Sequence, residues 1–311
     1  MRIVFCIGVL LGLSACVSTP QSAGLLQRGQ TSPFLQPVSL TEVPFFPQQA
    51  YQCGPAALAT LLQTSQVNVS PDALVPLVYL PARRGSLQIE MLAASRTFGR
   101  IAYRLSPSLT NVLKQVQGGR PVLVMQNLGL SWYPRWHYAV VVGYDLPRRE
   151  IVLHSGIKES YRQTLQVFER TWQRADHWAM VVLRPGEMPI DADELRYFDA
   201  IAALEQARPD IRVASAYRVG LQQWPASIEL AMGLGNLLYR KGYKQEAARE
   251  FSTLLDQHPL YAPAHNNLAQ VLLELGDSET ALHHAQMAVA QGGNHLPAFK
   301  ATLSAIVLSS Q

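Results

Sequence analysis

The chain has 311 residues, 48% of them apolar and 15% charged, with a formal net charge of +4. That length suggests about two domains, and the composition supports packed cores and excludes a disordered chain. Basic residues form no run longer than a doublet such as Arg83-Arg84 or Arg148-Arg149, and no finger-type Cys/His spacing occurs, so no nucleic-acid partner is expected.

At the N-terminus, Arg2 precedes an apolar stretch over 3–13 that is too short to span a bilayer. It runs into Leu13-Ser14-Ala15-Cys16. This order resembles a bacterial lipoprotein signal with its lipobox. The resemblance implies a signal peptide over 1–16, a lipid anchor on Cys16 and a membrane partner through that anchor. Residue 17 is Val rather than Asp, which by resemblance to Gram-negative sorting implies an outer-membrane protein facing the periplasm. Cys6 would leave with the signal, so Cys53 would be the one free thiol of the mature chain. Residues 17–42, rich in Ser, Thr, Pro, Gln and Gly, read as a flexible tether reaching about 25–30 Å.

From 43 to 187 the pattern is mixed. Helices are expected over 53–63, over 87–98 with Ser86 as cap, and over 109–117. Strands are expected over 121–128, 137–144, 150–155 and 177–183, Val-rich runs bounded by Gly, Pro, Asp and Arg. Helices first and antiparallel strands later predict an α+β domain.

From 194 an Ala- and Leu-rich helical pattern takes over. Pro225, Leu234, Gly242 and Ala247 recur 34 residues later as Pro259, Leu268, Gly276 and Ala281, the tetratricopeptide period. An all-α repeat solenoid is expected over 194–311, with a degenerate first copy at 194–227 and a capping helix at 296–308. Such arrays offer a surface for a protein partner. His258, His265, His283 and His284 are expected on solvated helix faces.

The chemistry centres on Cys53. A helix beginning there aims free backbone N–H groups and the positive end of its dipole at the sulfur, which favours the thiolate. Gly54 allows a substrate backbone to approach. Pro55 suits the first turn. Gln48, five residues upstream, carries an amide able to donate to an oxyanion beside the Cys53 N–H. A base is needed, and two histidines open Val-rich strands, His137 after the aromatic segment "SWYPRW" and His177 in "HWAMVVL". Either would complete a Cys–His pair able to attack acyl groups. A metal site built from Cys53, His137, His154 and His177 has no short ligand spacing behind it, so no metal and no cofactor are expected.

The segments "PQQAYQCGPAALATLL", "GSLQIEMLAASRTFG" and "HYAVVVGYDLPRREIVLHSG" resemble the papain-like cysteine peptidases of the bacteriocin-processing, double-glycine-leader type. The likeness looks closest to a lipoprotein branch with tetratricopeptide repeats behind the peptidase domain. It implies Cys53 as nucleophile, Gln48 at the oxyanion position and His137 as base. It also implies a third group after the next strand, usually an Asp, and here His154 or Ser155 stands in that place. Asp145, about 26 Å along a straight strand from His137, cannot easily replace it; Asp176 is near only if the fold brings it there. The implied protein is a membrane-anchored periplasmic cysteine peptidase acting on a peptide or protein substrate. The alternative is a degenerate relative of the same fold that binds peptide as an envelope adaptor.

Overall fold

The structure is a computed structural model describing residues 18–47 and 52–309. The chain divides into two compact units, one of residues up to 91 with 104–181, the other of 92–103 with the residues from 182 on.

In chain order the α+β part runs α1 (Pro20–Gln27), β1 (Val38–Ser39), α2 (Cys53–Thr64), α3 (Pro71–Val78), α4 (Gln88–Thr97), β2 (Ile101–Arg104), α5 (Leu109–Gln117), β3 (Val122–Asn127), β4 (Trp136–Asp145), β5 (Glu150–Ser155), β6 (Lys158–Thr164), α6 (Leu165–Gln173) and β7 (Ala179–Leu183). The sheet order is β2-β7-β3-β4-β5-β6, with β1 added on β4. Pairing along β7-β3-β4-β5-β6 is antiparallel. This is the α+β arrangement expected, although β1 and β2 lie among the early helices and α6 separates β6 from β7.

Burial explains the order. Nine consecutive residues of α2, Gly54 to Leu62, are buried. A helix apolar on every side belongs in a core, and α2 packs against α3, β3 and β4. From Tyr138 onward every residue of β4 is buried, so the strand reads as a continuous apolar run with no alternation. At the other extreme, β6 (KESYRQT) is an exposed edge with charged and polar side chains, a composition that discourages further strand pairing.

The expected tether fails from residue 20 onward. Ser22 and Leu25 of α1 are buried, Phe34 is fully buried with its edge on the Tyr144 ring, and Val38 and Ser39 pair with Tyr144 and Gly143. The segment is polar because α1 is held at its N-terminus by a carboxylate: Glu169 accepts from the backbone N–H groups of Gln21 (2.9 Å) and Ser22 (2.6 Å) and from the Ser22 hydroxyl. Composition alone does not register two well-seated apolar residues and one buried acceptor. Cys16 and the rest of the expected signal peptide lie outside the described residues.

The repeat part comprises α7 (Glu194–Ala207), a short 3-10 turn (Ile211–Val213), α8 (Ala214–Gln223), α9 (Ile228–Arg240), α10 (Lys244–Gln257), α11 (Ala262–Glu274), α12 (Ser278–Gln291) and α13 (Leu296–Ser309). Each helix from α8 to α13 packs on the next. The residues that recur at 34 do equivalent jobs. Leu234 and Leu268 are buried, Ala247 and Ala281 are fully buried, and Gly242 (φ 82°) and Gly276 (φ 87°) hold the left-handed turns between paired helices. Gly235 is required because a Cβ there would lie 2.7 Å from Cζ of Phe251. Among the described residues, no helix is long and apolar enough to cross a membrane.

One expectation about this part is corrected. His265 is buried, bonded through Nε2 to the Pro259 carbonyl (3.0 Å) and through Nδ1 to His284 Nδ1 (2.8 Å). Helix pairing buries this face because α11 and α12 meet there.

Candidate active site

Cys53 is the first residue of α2, and Gln52 at the cap position makes no side-chain capping bond. The backbone N–H groups of Cys53 and Gly54 face the sulfur instead, joined by the N–H of Tyr138 from β4. These three pull the thiol's pKa down, but burial outweighs them and the net effect is upward. The helix-start argument therefore identified the right groups and the wrong balance: desolvation of the anion wins over the dipole.

Gly54 serves a different neighbour than expected. A Cβ at this position would sit 2.6 Å from the Cβ of Ser86, so the glycine admits the 85–87 segment onto the start of α2. Ser86 does not cap α4, and its hydroxyl is buried with no hydrogen-bond partner among the described residues. The Ser86 carbonyl accepts from the Tyr138 hydroxyl at 3.3 Å.

His137 and Tyr138 are neighbours in β4, and their side chains point to opposite faces of the sheet. Tyr138 goes to Ser86; His137 goes to Ser155, with Nε2 2.8 Å from the serine Oγ. Register explains that pairing. Val140 stands opposite His154, so Ser155 falls one step toward His137 and on its face. His154 points the other way. It accepts from the Ser160 N–H at Nδ1 (3.2 Å), which leaves Nε2 to donate to the Val43 carbonyl (3.2 Å), and it lies against the Phe45 ring. Of the two candidates for the third position, Ser155 meets the imidazole and His154 holds the segment ahead of Cys53.

Burial pulls the His137 imidazole down to about 4, so at neutral pH the resting domain holds a protonated Cys53 thiol and a neutral His137 imidazole. Among the described residues, no hydrogen bond joins the sulfur to His137. Gln48 lies outside the described residues. The other candidates are elsewhere: His177 sits in the turn after α6 with its ring edge-on to Trp172 at 4.8 Å, Asp176 beside it is exposed, and Asp145 accepts from the Arg148 N–H at the far end of β4.

Between β3 and β4 the segment 128–135 is an ordered hairpin. Asn127 Oδ1 accepts from the N–H groups of Gly129 and Arg135, both at 2.9 Å, and Arg174 donates to the carbonyls of Asn127 and Gly129. The hairpin leads into His137 and leaves Trp132 (80%) and Trp136 (53%) exposed. Sequence reasoning missed Tyr138, whose N–H faces the sulfur and whose side chain fixes Ser86; its position directly after the candidate base was the available signal.

The family model described as Peptidase C39 like matches residues 40–180. Residues 40–180 form a C39-peptidase-like domain. A tetratricopeptide-repeat model matches residues 250–283, within α10 to α12. No curated protein matches the chain. Among solved structures, the chain is similar to a C39-like peptidase from Bacillus anthracis, with 18% identity over 48% of this chain and 98% of that one and a TM-score of 0.41. It is similar to the peptidase domain of Streptococcus ComA, a bifunctional ABC transporter involved in quorum sensing, at 18% identity over 46% and 99% with a TM-score of 0.38. A double-glycine-motif protease from an AMS/PCAT transporter, solved with its leader peptide, matches at 21% identity over 47% and 96% with a TM-score of 0.36. The C39-like domain contains Cys53, His137 and Ser155.

Proposed function

We propose that the chain is a cysteine peptidase, anchored to the outer membrane through Cys16 and facing the periplasm, in which Cys53 and His137 cleave a peptide bond and the repeats bind a protein partner. A C39-like domain followed by a tetratricopeptide repeat is the framework of a peptidase or peptide-binding protein. The observation that carries the catalytic reading is the His137–Ser155 bond at 2.8 Å, made beside the residue whose N–H faces the Cys53 sulfur.

With Nε2–H donated to Ser155, the free nitrogen of His137 is Nδ1, a base in the neutral form that prevails at pH 7. Nδ1 takes the thiol proton as the sulfur attacks the carbonyl carbon. The oxyanion is met by the Cys53 N–H and the Gln48 amide, and the proton passes to the departing amine as the C–N bond breaks. Water then hydrolyses the thioester, returning acid and thiol. The exposed hairpin aromatics give an apolar wall beside the base. A second reading, peptide binding without cleavage, is favoured by one feature: Ser155 is uncharged and gives the imidazolium no counter-ion.

The test follows iodoacetamide alkylation of Cys53 against pH, together with a peptide-library cleavage screen, in wild type, Cys53→Ser and His137→Ala. The peptidase reading requires cleavage that both substitutions abolish, with alkylation slowed by His137→Ala. Alkylation indifferent to His137, with no cleavage, makes the protein a peptide binder.

A further inference from the structure

In the hairpin between β3 and β4 only the root, Trp136, adjoins His137 in the chain. The tip carries Leu128, Leu130, Trp132 and Tyr133, each at least 50% exposed. Four large apolar side chains within six residues make a patch of the kind that marks an interaction surface. From Leu128 to His137 the sequence holds one arginine, the exposed Arg135, and no carboxylate.

The backbone of this tip suits an apolar medium. Leu130 and Tyr133 exchange both their N–H···O=C bonds (3.1 and 3.2 Å), and the Leu128 N–H donates to the Arg135 carbonyl (2.9 Å). The N–H groups of Gly129 and Arg135 go to Asn127 Oδ1, and Pro134 has none. Gly129 is required for this closure, since a Cβ there would lie 2.9 Å from the Arg135 backbone nitrogen. With these donors already bonded, little of the backbone is stranded when the tip leaves water. The Trp132 and Tyr133 rings stand together at the tip, with centroids 6.1 Å apart.

The place of the hairpin in the domain points to its partner. Glu169 of α6 receives the N–H groups that begin α1, and Arg174, five residues on, donates to the carbonyls of Asn127 and Gly129. Five residues of helix advance about 7.5 Å, so one helix holds both the start of α1 and the root of the hairpin. Cys16 precedes Pro20 by four residues, a length of chain that spans at most about 14 Å. Because the chain is packed from residue 20 onward, a lipid on Cys16 keeps the bilayer close to that helix. Trp and Tyr settle at headgroup level, Leu side chains reach below it, and a flanking Arg meets anionic headgroups.

We propose that the hairpin tip, through Leu130, Trp132 and Tyr133, docks into the headgroup layer of the membrane that carries the Cys16 lipid, with Arg135 on an anionic headgroup. The contact orients the Cys53 domain on the bilayer. It rests on the anchored reading of Cys16 and not on peptidase activity.

The test uses the full chain purified from membranes, and the mass of its N-terminal peptide reads the lipid on Cys16 separately. The protein is reconstituted into vesicles of phosphatidylethanolamine and phosphatidylglycerol with acyl chains brominated near the headgroup, and quenching of tryptophan emission is followed. Wild type is expected to be quenched, and Trp132→Phe to lose most of that quenching, which assigns it to the tip. The double variant Leu130→Ser with Tyr133→Ser keeps Trp132 as reporter and changes only exposed side chains. It is expected to shift the balance away from the docked state about tenfold or more. An unmodified Cys16 defeats the anchored reading and the proposal with it. A lipidated Cys16 with unquenched emission, or quenching equal in wild type and both variants, overturns the docking alone. Shielding of Trp132 from acrylamide by a peptide substrate but not by vesicles assigns the tip to substrate and also overturns it.

Discussion

Ser155 determines what His137 can be. The Nε2 to Oγ bond orients the ring but supplies no charge, and burial alone sets the imidazole at about 4. A carboxylate in the same place favours the imidazolium. Ser155→Asp is therefore expected to raise the His137 pKa by a unit or more and to shift Cys53 alkylation to lower pH, on the order of tenfold faster at pH 7. Ser155→Ala is expected to lower reactivity by loosening the ring. Histidine NMR titration and alkylation rates check both; an unmoved His137 pKa in Ser155→Asp refutes the account. Residue types made part of this site legible, because a Cys at a helix start and a His at a strand head stand out in sequence. The choice between His154 and Ser155 did not, since it depends on strand register. Nor did the thiol's upward shift, because burial around Cys53 is set by residues as distant in sequence as Tyr138 and Ser86.

At the scale of elements, apolar runs were readable and polar segments were not. The Val-rich strands and the helix over Leu109–Gln117 were legible from their patterns. In β6, Lys, Glu, Arg and Gln leave only Ser160, Tyr161 and Thr164 without strong polarity, and an edge strand of that kind carries no periodic apolar signal. The same holds for α1, read as tether because its anchor is Glu169, 147 residues away. Glu169 is fully buried and answers two helix-start N–H groups and one hydroxyl. Glu169→Ala strands these donors, at a cost of about 1–3 kcal/mol for the group left unsatisfied. The expected result is release of α1: proteolytic cleavage near residues 28–37 that wild type resists, with a lower melting temperature. Equal protection in both proteins would show that Leu25 and Phe34 hold the segment unaided.

In each unit one histidine is the largest source of pH dependence near neutrality, with burial of His154 and His177 adding smaller effects of the same direction in the first. His137 and His284 are both held at about 4, His137 by burial and His284 by burial and then by the neighbouring His265 and His283. The unfolded chain protonates both residues near 6.5. Between pH 6.5 and 4 the unfolded state thus binds more protons, and stability falls as pH falls through that window, by up to about 3 kcal/mol for His137 and by less for His284, whose partial exposure lets solvent screen it. Asp210, held at about 2 first by its hydrogen bonds to Arg212, contributes in a separate window, its share being lost only as pH drops from about 4 to 2. Chemical denaturation between pH 7.5 and 4.5, followed by hydrogen exchange so that the two units are read separately, is expected to show both losing protection. His137→Gln should flatten the dependence in the first unit only, and His284→Gln in the second only. A dependence that both substitutions leave unchanged would place the titrating groups elsewhere.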